Sequence, residues 1–332
     1  MELKDIPVGL TGQALMDAIK NTKEKRQPLA EGFLYEQTIT MMAADPGTGK
    51  STISIQMAVE LASGLPVFGV FKVKRPLKIL YIQTERSIIE LLERLELLTE
   101  NMLLNPDNLT ITAEYQKFNL LREEDVPLFI DCIKRDRPGV EVIIIDPIYS
   151  IVRGGLKEDL QASIFTKVMT NVQQATGAAL WYNHHTTKSQ YNTNGEKIEK
   201  DDPFYGSQWL KAHVTGSYYL KEVSGGVKME LKKDNYGLLP KSIILDYNAE
   251  TGMCSIPLED LPAEQRLNTF LDSKDQDQKT FTFNDIITST KLCKRTVRHL
   301  LLHSSANNRV IVVSRSKNKN LYKTDPYALA HP

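Results

Sequence analysis

Apolar residues along the chain follow two alternating rhythms. Short, nearly unbroken apolar runs, Gln37–Ala43, Leu77–Ile82, Leu109–Ala113, Val140–Asp146 and Ala178–Asn183, have the length and β-branched content of strands. Between them the spacing changes to a helical period: over Thr52–Ala62, at Ile88, Leu91, Leu92 and Leu95 behind a Ser87 N-cap, and over Val126–Ile133 and Leu156–Ala175. Strands alternating with helices predict an α/β fold, a doubly wound and mainly parallel sheet whose ligand site lies at the C-terminal strand ends. From Val214 onward the pattern becomes that of hairpins, Tyr218–Glu222, Val227–Lys232 and Ile243–Tyr247, with Gly225-Gly226 as a turn, and so predicts an antiparallel extension.

The flanks differ from this core. Thr11–Arg26 carries Leu15, Ala18 and Ile19 at helical spacing and leads through a polar linker to Pro28; such a helix can pack on its own domain or on a neighbouring subunit. Residues 1–28 therefore form a helix and linker, 29–258 the core, 259–278 a second linker and 279–332 a small basic domain. The stretch 189–202 has no apolar period and predicts a projecting loop. In the last domain, Phe283–Ser289 and Lys294–Leu302 predict helices, the second with Val297, Leu300 and Leu301 inward and Lys294, Arg295 and Arg298 outward. Val310–Arg315 and Leu321–Lys323 then form a hairpin about a turn at Lys317-Asn318. Helix, turn, helix and hairpin resemble a winged helix, which docks either duplex DNA or protein.

Composition narrows the class. Of 332 residues, 41% are hydrophobic and 25% charged, as in a globular protein with a sizeable core. No run approaches the roughly twenty apolar residues of a membrane span, and residues 1–26 are too polar for a signal peptide, so a cytoplasmic protein without membrane partners is expected. Cys132, Cys254 and Cys293 lie too far apart for a zinc or disulfide framework. Net charge is zero, yet residues 279–332 carry ten lysines and arginines against two aspartates, a local footprint of nucleic-acid binding.

One run imposes a specific chemistry. Ala44-Asp45-Pro46-Gly47-Thr48-Gly49-Lys50-Ser51-Thr52 is a phosphate loop between a strand and a helix, with Ala44 replacing the usual first glycine. Its N–H groups converge on phosphate oxygens at a helix N-terminus, Lys50 reaches the β- and γ-phosphates of ATP, and the Ser51 hydroxyl ligates Mg²⁺. Asp146, ending a β-branched run, is a Walker B aspartate for the same ion. Because Pro147 follows it, the base that activates water must come from elsewhere, and Glu85, at the end of the strand after the loop's helix, is the candidate. His184, beside His185 at a fourth strand end, is placed to sense the γ-phosphate. Gly206-Ser207 is either another turn reading nucleotide state or a helix cap.

The order of phosphate loop, Glu85, Asp146-Pro147, His184, Gly206-Ser207 and Lys232-Lys-Asp-Asn-Tyr-Gly237 resembles the RecA-type ATPases of the plasmid RepA hexameric helicase group, over roughly residues 29–247. The resemblance implies a homo-oligomeric ring, a hexamer, coupling ATP hydrolysis to movement on single-stranded DNA in replication or repair. Helicase cores of the DnaB kind carry Lys-x-Arg-x-Gly near the last stretch; here the arginine position is Asn235, leaving Lys232, Lys233, Arg86 or Arg153 as the cation acting across the subunit interface. Single-strand contacts would come from Arg153, Lys157, Lys188, Lys197 and Lys200, and duplex contacts from Lys294, Arg295, Arg298 and Lys317. The competing class is an ATP-gated DNA-binding regulator or recombinase-like protein that does not unwind.

Overall fold

The computed structural model of the chain describes residues 9, 11–21, 26–85, 87–100, 102, 105–153, 155–156, 158–186, 190–191, 197–198, 208–277, 280–303, 310–315 and 320–324. An N-terminal helix α1 (Gly12–Asn21) precedes a small hairpin, β1 (Pro28–Ala30) and β2 (Leu34–Tyr35). The alternating core follows: β3 (Ile39–Ala44), α2 (Lys50–Ser63), β4 (Ile79–Gln83), α3 (Ile88–Thr99), β5 (Leu109–Thr112), α4 (Asp125–Asp136), β6 (Val142–Asp146), α5 (Asp159–Thr176) and β7 (Ala179–His185). Next come a two-residue pair, β8 (Gln190–Tyr191) and β9 (Lys197–Ile198), a short α6 (Gln208–His213), and four strands, β10 (Gly216–Val223), β11 (Gly226–Asp234), β12 (Ser242–Asn248) and β13 (Met253–Ser255).

Nine strands make one sheet in the order β13-β12-β11-β10-β3-β7-β6-β4-β5. The pairs from β10 to β5 are parallel and those from β10 to β13 antiparallel, so this is an α/β fold with an antiparallel extension. All five residues of β6 are buried, which explains why the run lacks alternation: both of its faces are covered by other layers. Alternate residues of each strand feed two cores. One holds Met42, Ile144 and Trp181 with Ile53, Met57 and Leu61 of α2. The other holds Met41, Ile143 and Tyr182 with Phe129 of α4 and Phe165 of α5. Each such side chain, fully removed from water, contributes about 1.5–3 kcal/mol.

Two expectations change. The stretch 189–202 is not a plain loop, since Gln190 and Tyr191 pair with Ile198 and Lys197 in an antiparallel ladder. Most of 259–278 is helix α7 (Ala263–Asp277) rather than linker. Leu267, Phe270 and Leu271 recur at helical spacing within its many charges and are buried against Phe281, Ile286 and Val297. The C-terminal unit continues with β14 (Phe281–Thr282), α8 (Phe283–Thr290), α9 (Lys294–His303), β15 (Val310–Arg315) and β16 (Asn320–Thr324), with strand order β14-β16-β15. Thr282 caps α8 in a reciprocal capping box with Asp285.

A carboxyl is buried where α2 meets the far edge of the sheet. Glu60 accepts a hydrogen bond at Oε1 from the Gln56 amide (2.8 Å) and at Oε2 from the Phe68 N–H (2.9 Å), while Gln56 also bonds the Cys254 carbonyl and N–H (2.7 and 2.6 Å). Burial pushes Glu60 up to about 8, against the pull of both hydrogen bonds. Unfolded, it ionises near 4.5, so across that window the unfolded chain has released a proton that the folded chain keeps. Stability should therefore fall as pH rises from about 5 to about 8. Thermal unfolding midpoints should decline over that range, and Glu60→Gln should flatten the decline; an unchanged slope would mean that Glu60 is ionised in the folded protein.

Candidate nucleotide site

The site is built where β3 gives way to α2. Gly47 and Gly49 adopt φ of 85° and 93°, a left-handed backbone open to glycine at little cost, and Gly49 sits at the N-cap of α2. The loop is tied internally by Thr48, whose N–H and hydroxyl both donate to the Asp45 carbonyl (3.4 and 3.0 Å). Thr186, just past β7, donates its hydroxyl to the Asp45 carboxylate. Lys50 is buried and donates through Nζ to the carbonyls of Ala44 (2.8 Å) and Asp45 (3.0 Å). Burial lowers its pKa, opposed by the carboxylates of Asp146, Asp45 and Glu85, so three acidic groups share the field of one ammonium.

Asp146 ends β6 and is 1% exposed. Its Oδ2 accepts from the Tyr81 hydroxyl (2.6 Å) and its Oδ1 from the Asn183 amide (2.7 Å). Asn183 is joined in turn to Ser54 of α2 (2.9 and 3.1 Å). Beside it, Gln83 accepts at Oε1 from the N–H groups of Thr84 (2.9 Å) and Glu85 (3.1 Å), turning the chain at the end of β4. Thr84 also donates to the carbonyls of Asp146 and Pro147, which pins this turn to the end of β6. Glu85 is thereby held at the mouth of the site, exposed, with Oε1 3.3 Å from His185 Nε2.

The two histidines at the end of β7 fall on opposite faces of the sheet. His184 pairs in register with Ala43, is 1% exposed, and lies on the same face of β7 as Tyr182 and Leu180, away from α2. His185 follows Trp181 and Asn183 on the α2 face, and it is His185 that meets Glu85 and, edge-on at 6.1 Å, the Tyr149 ring. Among the cations considered for action across an interface, Lys233 donates to the Lys211 and Ala212 carbonyls at the end of α6 (2.6 and 2.7 Å). Lys232 pairs with Glu230 at 2.9 Å. Arg153 is exposed and donates to the Gln116 carbonyl (3.3 Å). Arg86, Lys157, Lys188, Lys200, Gly206, Ser207 and Lys317 lie outside the described residues, as does the side chain of Lys197. Lys294, Arg295 and Arg298 are exposed along α9.

The donors near the loop suit a nucleoside triphosphate with a hard divalent cation. The start of α2 offers N–H groups to phosphate, while the Ser51 hydroxyl and the Asp146 carboxylate could hold Mg²⁺. Among the described residues no three or more His, Cys, Asp and Glu side chains gather as a metal cage.

The phosphate-loop strand β3 stands between β10 and β7, and β7 separates it from the aspartate strand β6. With Lys50 at the loop and Asp146 two strands away, this order defines a RecA-like P-loop ATPase. The chain belongs to the family described as an AAA domain, whose profile matches residues 8–191, more than half of its length. No curated protein matches it. Among solved structures, a KaiC-like protein from the hyperthermophilic archaeon Pyrococcus horikoshii is similar at 13% identity, with a TM-score of 0.49, over 70% of this chain and 100% of that one. None of the helices among the described residues is long and apolar enough to cross a membrane.

Lys50→Ala should reduce ATP turnover by ~10²-fold or more, about 3 kcal/mol of lost charge stabilisation. A phosphate-release assay at saturating ATP checks this, and wild-type turnover would remove the loop from the chemistry.

Proposed function

We propose that this ATPase is an ATP-dependent, DNA-acting motor, an oligomeric helicase or single-strand translocase of the RepA kind. The observation that carries the proposal is the union, in one chain, of a RecA-like nucleotide site with a C-terminal unit that turns a cationic helix outward. In that unit α7, β14, α8, α9 and the β15–β16 hairpin follow in the order of a winged helix, with Val297 buried while Lys294, Arg295 and Arg298 face solvent. Exposed cations on one helix suit a polyanion, and phosphate contacts give affinity without reading sequence.

In the nucleotide site, Lys50 and the loop amides would bind the β- and γ-phosphates, with Asp45, Pro46, Gly47, Thr48, Gly49, Ser51 and Thr52 shaping that cradle. Ser51 and Asp146 would hold Mg²⁺, which neutralises charge on the phosphates and orients them. Glu85 would take the proton of the attacking water. It fits that role because it is solvent-reachable and within the field of Lys50. The β6 and β7 ends, carrying Arg153 and the β8–β9 pair, would offer single-strand contacts toward a ring axis.

Glu85→Gln should preserve nucleotide binding while hydrolysis falls by ~10²-fold or more, the range for loss of a positioned base. Collapse of affinity with turnover retained would make Glu85 structural. For the DNA surfaces, Lys294→Ala with Arg295→Ala should weaken duplex binding and flatten the plot of log affinity against log salt by roughly 0.9 for each phosphate no longer neutralised. Lys197→Ala with Lys200→Ala should weaken single-strand binding and DNA-stimulated hydrolysis instead. Anisotropy on both substrates across a salt series measures each effect. Strand displacement by the purified oligomer supports the motor; ATP-dependent DNA binding without displacement would favour a non-motor switch, and no DNA binding by either surface overturns the proposal.

A further inference from the structure

We infer that Asn183 and Tyr81 are positioning residues for the metal, fixing the Asp146 carboxylate in the orientation in which it receives Mg²⁺, with Ser54 registering that carboxylate to the phosphate-loop helix. This rests on the reading of Asp146 as a metal-holding residue. Four buried polar side chains from four elements, Tyr81 on β4, Asp146 on β6, Asn183 on β7 and Ser54 on α2, form one connected network in which Ser54, Tyr81 and Asn183 are fully buried. Each carboxylate oxygen accepts one hydrogen bond from a neutral donor, Tyr81 Oη to Oδ2 at 2.6 Å and Asn183 Nδ2 to Oδ1 at 2.7 Å. Two donors, one at each oxygen, stop the carboxylate from rotating and leave further lone pairs on both oxygens for a metal's water shell.

The Asn183 amide has no freedom to turn over. Its Nδ2 also donates to Ser54 Oγ (2.9 Å), and the Ser54 hydroxyl returns a bond to its Oδ1 (3.1 Å). Flipping the amide would set its oxygen against the carboxylate of Asp146. Ser54 lies one helical turn beyond Lys50 on α2, so the orientation of the aspartate is tied to the same helix that presents Lys50 and Ser51. Partners of this kind govern metal affinity because they hold the ligand and its charge in place.

The test measures binding of a fluorescent ADP analogue at a series of Mg²⁺ concentrations, in wild type and in Asn183→Ala, Tyr81→Phe, Ser54→Ala and Asp146→Asn, together with unfolding midpoints without nucleotide. Asn183→Ala and Tyr81→Phe should each raise the Mg²⁺ concentration for half-maximal binding by about 10–100-fold, with ADP binding in excess chelator unchanged. Ser54→Ala should shift it the same way by less. Tyr81→Phe keeps the ring and removes one hydroxyl, so it stays informative if the asparagine variant fails to fold. If Asp146→Asn moves the Mg²⁺ dependence and the other variants lower only the unfolding midpoint, the network is structural and the inference is overturned. If Asp146→Asn leaves the Mg²⁺ dependence untouched, the metal role of Asp146 fails first and the inference with it.

Discussion

Parallel pairing of β3 with β7 is the constraint on which the site depends. Its register sets Ala43 against His184 and Ala44 against His185, so the residue entering the phosphate loop and the end of β7 leave the sheet side by side. A β strand presents alternate side chains to opposite faces, and a register fixed over six residue pairs decides which polar groups at that edge reach α2. The insertion of β7 between β3 and β6 also sets a side chain of β7 between Ser54 of α2 and Asp146. Asn183 occupies that place and bonds both Asp146 and the helix after the loop. Without the inserted strand, a helix residue and an aspartate two strands apart would share no partner.

Much of this was legible in the chain. The phosphate loop, the glutamate after β4 and the aspartate after β6 are each marked by residue type at the end of an apolar run, and the alternation of runs implies the sheet class directly. Parity is what residue order alone leaves open. His184 and His185 are adjacent and chemically identical, and only the register of β7 assigns one to the Tyr182 layer and the other to Glu85. Tyr81 and Asn183 are hidden for a related reason: Tyr81 sits inside an apolar run and Asn183 closes one, so each reads as an ordinary strand position. The available signal is the residue type itself, a tyrosine and an asparagine on strands whose preceding residues are apolar. Helix α7 is masked by its charges, which outnumber the Leu267, Phe270 and Leu271 that bury it.

The lysines near the end of β11 also acquire a physical meaning. The Lys233 ammonium is engaged by two carbonyls at the end of α6, where a cation meets the negative end of the helix dipole. Its pKa is lowered by burial, as expected of a charge drawn into the fold rather than offered outward. A group so engaged serves the structure of its own chain. Lys232 is the extra residue where the pairing of β11 with β10 shifts register, and Glu230, two residues before it on the same strand, holds its ammonium.

The bond between Gln56 and Cys254 has a bearing on assembly. β13 is an outer strand of the nine-stranded sheet, and such a strand normally offers unpaired N–H and C=O groups to any other extended chain. Here the Gln56 amide takes both main-chain groups of Cys254, imitating the strand that would otherwise add there. With only three residues in β13 and its middle one already satisfied from within, the edge has no template to present. Addition of a further strand to the sheet is thus opposed on this side by one side chain.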